Sequence, residues 1–231
     1  MKKLIAFLVG VLSVLGIAVT VSAAPFTNGS FEDSNLGDIG AFTTVTFPDQ
    51  PITGWYVEPG LFVNSNIDYI GSYWQASEGH RSIDLNGDYP GAISQTFDTI
   101  VGVEYLVLFD MAGNPDSPID KALRVKTGDQ VYSQDYYFSQ AGFALDNMGW
   151  TEMAFYFTAS EELTKLVFQT LIIGADSPYG PALDNVRISA APVPEPAAML
   201  LLASGLLGLA GLKRGSAVVE RVGPKQGLEL R

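Results

Sequence analysis

The sequence has no cysteine and a single histidine among its 231 residues. The first absence excludes a disulfide scaffold, a thiolate metal centre and a thiol nucleophile. It leaves export open, because a domain of this size buries enough apolar surface without staples. The second excludes a histidine-rich metal site and leaves His80 as the single candidate base for a Ser-His-Asp triad. Positive charge is scarce as well: 13 Lys plus Arg stand against 25 Asp plus Glu, a net charge of −12. Nucleic acid is excluded as a partner on that ground, since displacing counterions from phosphates requires Lys and Arg. Between the two ends there is no long apolar pattern of period 3.6, which argues against a helical domain.

The charge that is present is unevenly spread. Residues 24–194 carry 22 acidic and six basic side chains, net −16, whereas the remaining basic residues cluster at the ends. Lys2 and Lys3 precede an apolar run from Leu4 to Val19, and Val21-Ser22-Ala23 supplies small residues before a cut after Ala23. This reads as a signal peptide over 1–23, with an uncleaved membrane anchor as the alternative. At the other end, Val193-Pro194-Glu195-Pro196 leads into the apolar stretch Ala197 to Leu212 and then Lys213-Arg214. That stretch is shorter than the ~20 residues that span a bilayer comfortably. The basic pair would stay on the cytoplasmic side. The segment 191–214 resembles the PEP-CTERM sorting signal of Gram-negative exopolysaccharide producers. That resemblance implies cleavage near Pro194, Glu195 and Pro196 by a membrane exosortase, transient residence in the inner membrane, and delivery to the cell surface or the medium. Family tails end soon after the basic cluster; here a basic tail, 215–231, follows and is expected to be disordered.

The body, 24–190, is a succession of short β-rich runs separated by Gly, Pro, Asn and Asp. Strands are expected at 26–31, 52–57, 67–70, 81–86, 91–97, 104–112, 121–127, 130–137, 150–158, 164–173 and 182–189. Ile83 and Leu85 alternate with polar neighbours, as do Leu123 and Val125, and Met153, Phe155 and Phe157. Period-2 patterning of this kind puts one face on a core and one toward solvent. Gly128-Asp129 reads as a two-residue hairpin turn. About eleven strands without an internal repeat predict an all-β, jelly-roll-like sandwich of two antiparallel sheets, with helices confined to the signal and sorting segments.

Several strings resemble one family along nearly the whole body. They are Asn28-Gly29-Ser30-Phe31-Glu32, Ile52-Thr53-Gly54-Trp55, Ile67 to Ser77, Arg81 to Leu85, Pro90 to Phe97 and Gly180-Pro181-Ala182-Leu183-Asp184-Asn185-Val186. The body is similar to the choice-of-anchor C family of bacterial surface proteins, itself related to a domain-of-unknown-function family of plant cell-wall proteins. The resemblance implies a galactose-binding-like sandwich, carbohydrate or wall association and no established catalysis. It also implies that the opening and closing strings lie side by side and hold a structural Ca²⁺, with Glu32, Asp184 and Asn28 as ligand candidates. Strand parity places Asp184 on the face of Val186 and Ile188, where a carboxylate wants a cation or hydrogen bonds. The alternative is that Asn28 and Glu32 cap a turn while Asp184 is solvated.

Trp55, Tyr56, Tyr69, Tyr73 and Trp74 form an aromatic cluster in the first half. Sugars stack on exposed aromatic faces while carboxylates and carboxamides bind hydroxyls. Tyr69, Tyr73, Asp68 and Trp74 are therefore the ligand candidates, and the loop Asn114 to Pro118 is a second rim. Core filling is the competing reading for the aromatics, the tryptophans above all. Asp84-Leu85-Asn86-Gly87-Asp88 begins like an EF-hand loop but has Tyr89 where Gly is required and Gln95 where Glu is required, so a hairpin loop is expected. His80 has an adjacent Ser82 but no nucleophile elbow. Glu161-Glu162 would point to opposite faces of a strand. No catalytic residue is assigned. Three function classes follow in order: a non-catalytic polysaccharide-binding module, a structural matrix protein without a specific ligand, and a polysaccharide-active hydrolase or lyase.

Overall fold

A computed structural model describes residues 25–59, 65–171 and 178–191. The signal and sorting segments, with Ala23, Pro194, Glu195, Pro196 and the tail, lie outside the described residues. The chain divides after Ala190 into two units, and the first holds every strand among the described residues.

Eleven strands form in order: β1 Phe42–Thr46, β2 Tyr56–Glu58, β3 Asn66–Ile70, β4 Ser82–Asp84, β5 Ala92–Asp98, β6 Glu104–Gly113, β7 Lys121–Thr127, β8 Ser133–Phe138, β9 Thr151–Thr158, β10 Leu163–Leu171 and β11 Pro181–Ala190. They make a six-stranded sheet in the order β1-β3-β4-β11-β6-β9 and a five-stranded sheet in the order β2-β5-β10-β7-β8. All pairings are antiparallel. From β4 onward the chain alternates between sheets except at the β7–β8 hairpin. That path gives the paired orders β4-β11-β6-β9 and β5-β10-β7-β8, the winding of a jelly roll. The expected all-β sandwich of two antiparallel sheets is the observed one.

Alternation explains the packing. On β7, Leu123 and Val125 are fully buried, whereas Arg124 and Lys126 are half-buried on the outer face. Between the sheets Phe168 packs against Trp55 and Phe109, with ring centroids 6.2 and 5.2 Å apart. Truncating such a fully buried Phe to Ala costs about 3–5 kcal/mol.

Three expectations need correction. Residues 26–31 are not a strand: Asn28 and Phe31 both take left-handed backbone angles, φ 52° and 61°. The cause is the Asn28 carboxamide, which accepts from Asp33 N at 3.0 Å and donates to Asp33 O and Thr53 O, folding the segment into a turn. Strand β1 was not expected. It is an edge strand, mostly exposed, and its signal was the β-branched run Thr43 to Thr46. The β7–β8 connection is five residues, 128–132, rather than two. Asp129 caps it by accepting from Val131 N and from the Thr127 and Ser160 hydroxyls.

Candidate functional site

The outer face of the six-stranded sheet is built from residues that alternate away from the core. Tyr69 on β3 and Ile83 on β4 point inward and are fully buried. Their neighbours Asp68 and Asp84 therefore point outward, and the register sets them directly opposite each other. Thr44 on β1 lies opposite Asp68 in turn, and its hydroxyl donates to Asp68 Oδ1 at 2.6 Å. Two loops close over this row, 114–118 and 178–180.

Together they leave a cleft of about 90 Å³ lined by Phe42, Asp68, Tyr73, Asp84, Asn114 and Asp116, with Trp74 and Tyr179 at its sides. Three of the four ligand candidates, Asp68, Tyr73 and Trp74, meet there. So does the second candidate rim, through Asn114 and Asp116. Tyr73 donates its hydroxyl to Asp116 Oδ2. That bond, with burial adding to it, pushes the phenol up to about 12, so Tyr73 stays a neutral donor. Phe42, 43% exposed, packs edge-on against Tyr73 at 5.4 Å. The pair gives the cleft an apolar lip.

The acids differ in what they offer. Asp84 is buried and fully engaged. Its Oδ1 accepts from Asn86 N at 2.9 Å and Gly180 N at 3.0 Å, and its Oδ2 accepts from Asn114 Nδ2 at 2.8 Å. Burial raises its pKa well above the usual carboxylate range. Gly180 is required here, because a Cβ would collide with Asp84 Oδ1. Asp68 is half-buried, and burial raises it too, opposed by the Thr44 hydrogen bond. Among the described residues its Oδ2 has no hydrogen-bond donor, so it can accept a ligand hydroxyl.

Tyr69, expected as a ligand residue, is a core residue instead. It is 0% exposed, its hydroxyl donates to Phe31 O at 2.6 Å, and no sugar ring can reach its face. Trp74 is likewise no platform, since it is 5% exposed and its indole N–H donates to Ser82 Oγ at 2.9 Å. It contributes an edge. The sequence reading missed Phe42 and Asp84 as cleft residues and Thr44 as the hydrogen-bond partner of Asp68. Phe42 and Thr44 sit on the unexpected strand β1, and Asp84 was absorbed into a loop motif.

The opening and closing strings do lie side by side. Val186 N donates to Gly29 O at 2.8 Å, and a Cβ on Gly29 would collide with the Val186 carbonyl. Parity fails at Asp184, however. A bulge between Asp184 and Arg187, with Asn185 at φ 51°, turns Asp184 to the outer face opposite Asp110. There Asp184 Oδ2 accepts from Ser77 N at 2.8 Å and Glu78 N at 2.9 Å. Its Oδ1 accepts from Asn185 N at 2.6 Å. Glu32 Oε1 accepts from His80 N and Arg81 N at 2.6 and 2.7 Å. Both carboxylates thus hold loop 75–81, while the Asn28 carboxamide caps its own turn. Among the described residues there is no group of three or more His, Asp or Glu able to hold a metal ion.

The family profile for a protein of unknown function (DUF642) matches residues 24–189. The chain belongs to this family. A PEP-CTERM protein-sorting motif matches residues 192–214. This DUF642 protein is therefore exported, membrane-anchored during sorting, and then found at the cell surface or outside the cell. Halomucin of Haloquadratum walsbyi is 30% identical over 167 residues, which cover 70% of this chain and 2% of halomucin. The chain thus spans a small fraction of that relative's length. Among solved structures it is similar to TmCBM61 in complex with β-1,4-galactotriose (14% identity, 73% of this chain and 99% of that one, TM-score 0.42). It is also similar to a family 35 carbohydrate-binding module from Clostridium thermocellum (11% identity, 64% and 99%, TM-score 0.42). A third is the CBM22-1 xylan-binding domain of Paenibacillus barcinonensis Xyn10C (13% identity, 69% and 100%, TM-score 0.41).

Proposed function

We propose that this protein is a non-catalytic surface module of the choice-of-anchor C type that binds an extracellular polysaccharide at the Asp68–Tyr73–Asp116 cleft. The observation that carries this reading is the convergence of hydroxyl-binding groups from β3, loop 71–74 and loop 114–118 beside the lip of exposed Phe42 and half-buried Tyr73. The cleft is about three water volumes deep, at ~30 Å³ per water. It therefore receives the hydroxyl edge of one sugar, with the ring lying against the lip. Processing by an exosortase-type enzyme at Pro194-Glu195-Pro196 belongs to the same reading.

Asp68 and Asp84 face each other, as the two acids of a glycosidase do. Among the described residues each donor to Asp84 is a protein N–H, one oxygen held twice and the other once. A general acid needs an oxygen aimed at the leaving group, so binding is favoured over hydrolysis. Screening the purified full-length protein against a glycan array tests the reading. Selective binding that Tyr73→Ala abolishes supports it. Release of reducing ends from a bound polysaccharide, lost in Asp68→Asn, would replace it with catalysis. The absence of any binding would leave a structural matrix role.

A further inference from the structure

The cleft alone does not account for a polymer ligand, but the surface beside it does. A second, larger groove of about 560 Å³ opens between residues 38–40 and loop 71–81. Trp74 lines both, so the two hollows adjoin at that residue. The second groove has the volume of a typical small-molecule site, roughly 300–1,000 Å³. Its walls are tight backbone: a Cβ on Gly71 would collide with the Gly40 carbonyl, and one on Gly79 with the Glu32 carboxylate.

The groove's lining carries one acid, Asp38 at its rim segment 38–40, and one permanent cation, Arg81. Its backbone is fixed by the Glu32 hydrogen bond at 2.7 Å, and its guanidinium carbon lies 5.8 Å from the centre of the Tyr69 ring. Arg124, Lys165 and Arg187 each close onto a carboxylate at 2.6 Å. Arg81 forms no ion pair among the described residues, although it stands in a body of net charge −16. A half-buried guanidinium, held against the Tyr69 side chain and without a carboxylate partner among the described residues, is a fork for a planar carboxylate.

We propose that the ligand is a polysaccharide in which a neutral sugar is followed by a uronic acid. The neutral residue presents hydroxyls to Asp68 and Asp116, where a carboxylate would be repelled. The uronate carboxylate pairs with Arg81 on the far side of Trp74. This rests on the sugar-binding reading of the cleft and adds a substrate class to it. A densely charged polyuronate is disfavoured by the acids of the cleft.

The test uses matched disaccharides that differ only in one C6 hydroxymethyl group oxidised to a carboxylate, titrated calorimetrically into the full-length protein. The wild type is expected to bind the oxidised partner at least tenfold more tightly. Arg81→Gln should erase that preference and leave affinity for the neutral partner unchanged, which also shows that the variant is folded. Arg81→Lys keeps the charge but not the fork, and should retain only part of the preference. Equal binding of the two partners by the wild type, or a full preference surviving in Arg81→Gln, overturns the uronate assignment while leaving the cleft reading intact. Binding of neither partner in any matched pair overturns both.

Discussion

Glu32 and Asp184 hold one loop by its two ends. Glu32 Oε1 takes the backbone N–H groups of His80 and Arg81, and Asp184 Oδ2 takes those of Ser77 and Glu78. The loop between them covers Asp110 through the Ser77 hydroxyl and forms one wall of the Arg81 groove. Two acids far apart in sequence thereby set the position of the neutral backbone that shapes the binding surface.

If amide donors satisfy these acids, Asp184→Ala leaves the N–H groups of Ser77, Glu78 and Asn185 without their acceptor. Each such loss costs about 1–3 kcal/mol. A fall in stability of about 3 kcal/mol or more is expected by urea denaturation, and Glu32→Gln should cost less, because Glu32 is exposed. EGTA should leave the melting temperature unchanged. A drop of several degrees with EGTA, reversed by Ca²⁺, would assign the two carboxylates to an ion instead.

The same residue predicts a pH dependence. Burial, reinforced by Asp110 and opposed by the three amide donors, pushes Asp184 up to about 7 from 3.8. The folded state then holds a proton that the unfolded state releases. Its contribution is complete below about pH 4 and is lost as pH rises through 7. Asp84, raised by burial in the same sense, adds to the slope. Stability measured by denaturant titration should therefore decline between pH 4 and 7, and Asp184→Asn should flatten that decline. An Asp184→Asn slope equal to the wild type's would remove Asp184 as its source.

Tyr69 separates core from site. Tyr69→Phe removes a buried hydroxyl and leaves the Phe31 carbonyl without that donor. A loss of about 1–3 kcal/mol is expected, with glycan affinity unchanged. Reduced affinity at unchanged stability would return Tyr69 to the ligand set.

The strand succession and the meeting of Asp68, Tyr73 and Trp74 were legible because alternation and short-range spacing are written locally. What was not legible depended on partners distant in sequence. Asp184 turned outward because of a bulge, and a one-residue bulge leaves no trace in a period-2 pattern. Tyr69 and Tyr73 flank the same Gly71-Ser72 bend, yet one is fully buried and the other opens onto the cleft. Residue spacing is blind to that difference. Asp84 became a cleft wall through Asn114 and Gly180, 30 and 96 residues away. The edge strand β1 buries Val45 alone, too little alternation to announce a strand, so its β-branched run was its single signal.

The cleft itself makes the sharpest demand. Tyr73 supplies both the lip and a hydroxyl fixed on Asp116, and neither role is structural in the way Tyr69's is. Tyr73→Phe keeps the lip and frees the Asp116 carboxylate from its donor. Tyr73→Ala removes both. Losing one hydrogen bond to a charged group amounts to about 1.5–3 kcal/mol, or roughly tenfold to a hundredfold in affinity. Tyr73→Ala should therefore reduce glycan binding at least tenfold, and Asp116→Asn should do the same without disturbing the lip. Tyr73→Phe distinguishes the contributions: near-normal affinity assigns the binding energy to stacking on the ring, and a loss equal to that of Asp116→Asn assigns it to the Tyr73–Asp116 hydrogen bond. Wild-type affinity in Tyr73→Ala would take the cleft out of recognition altogether.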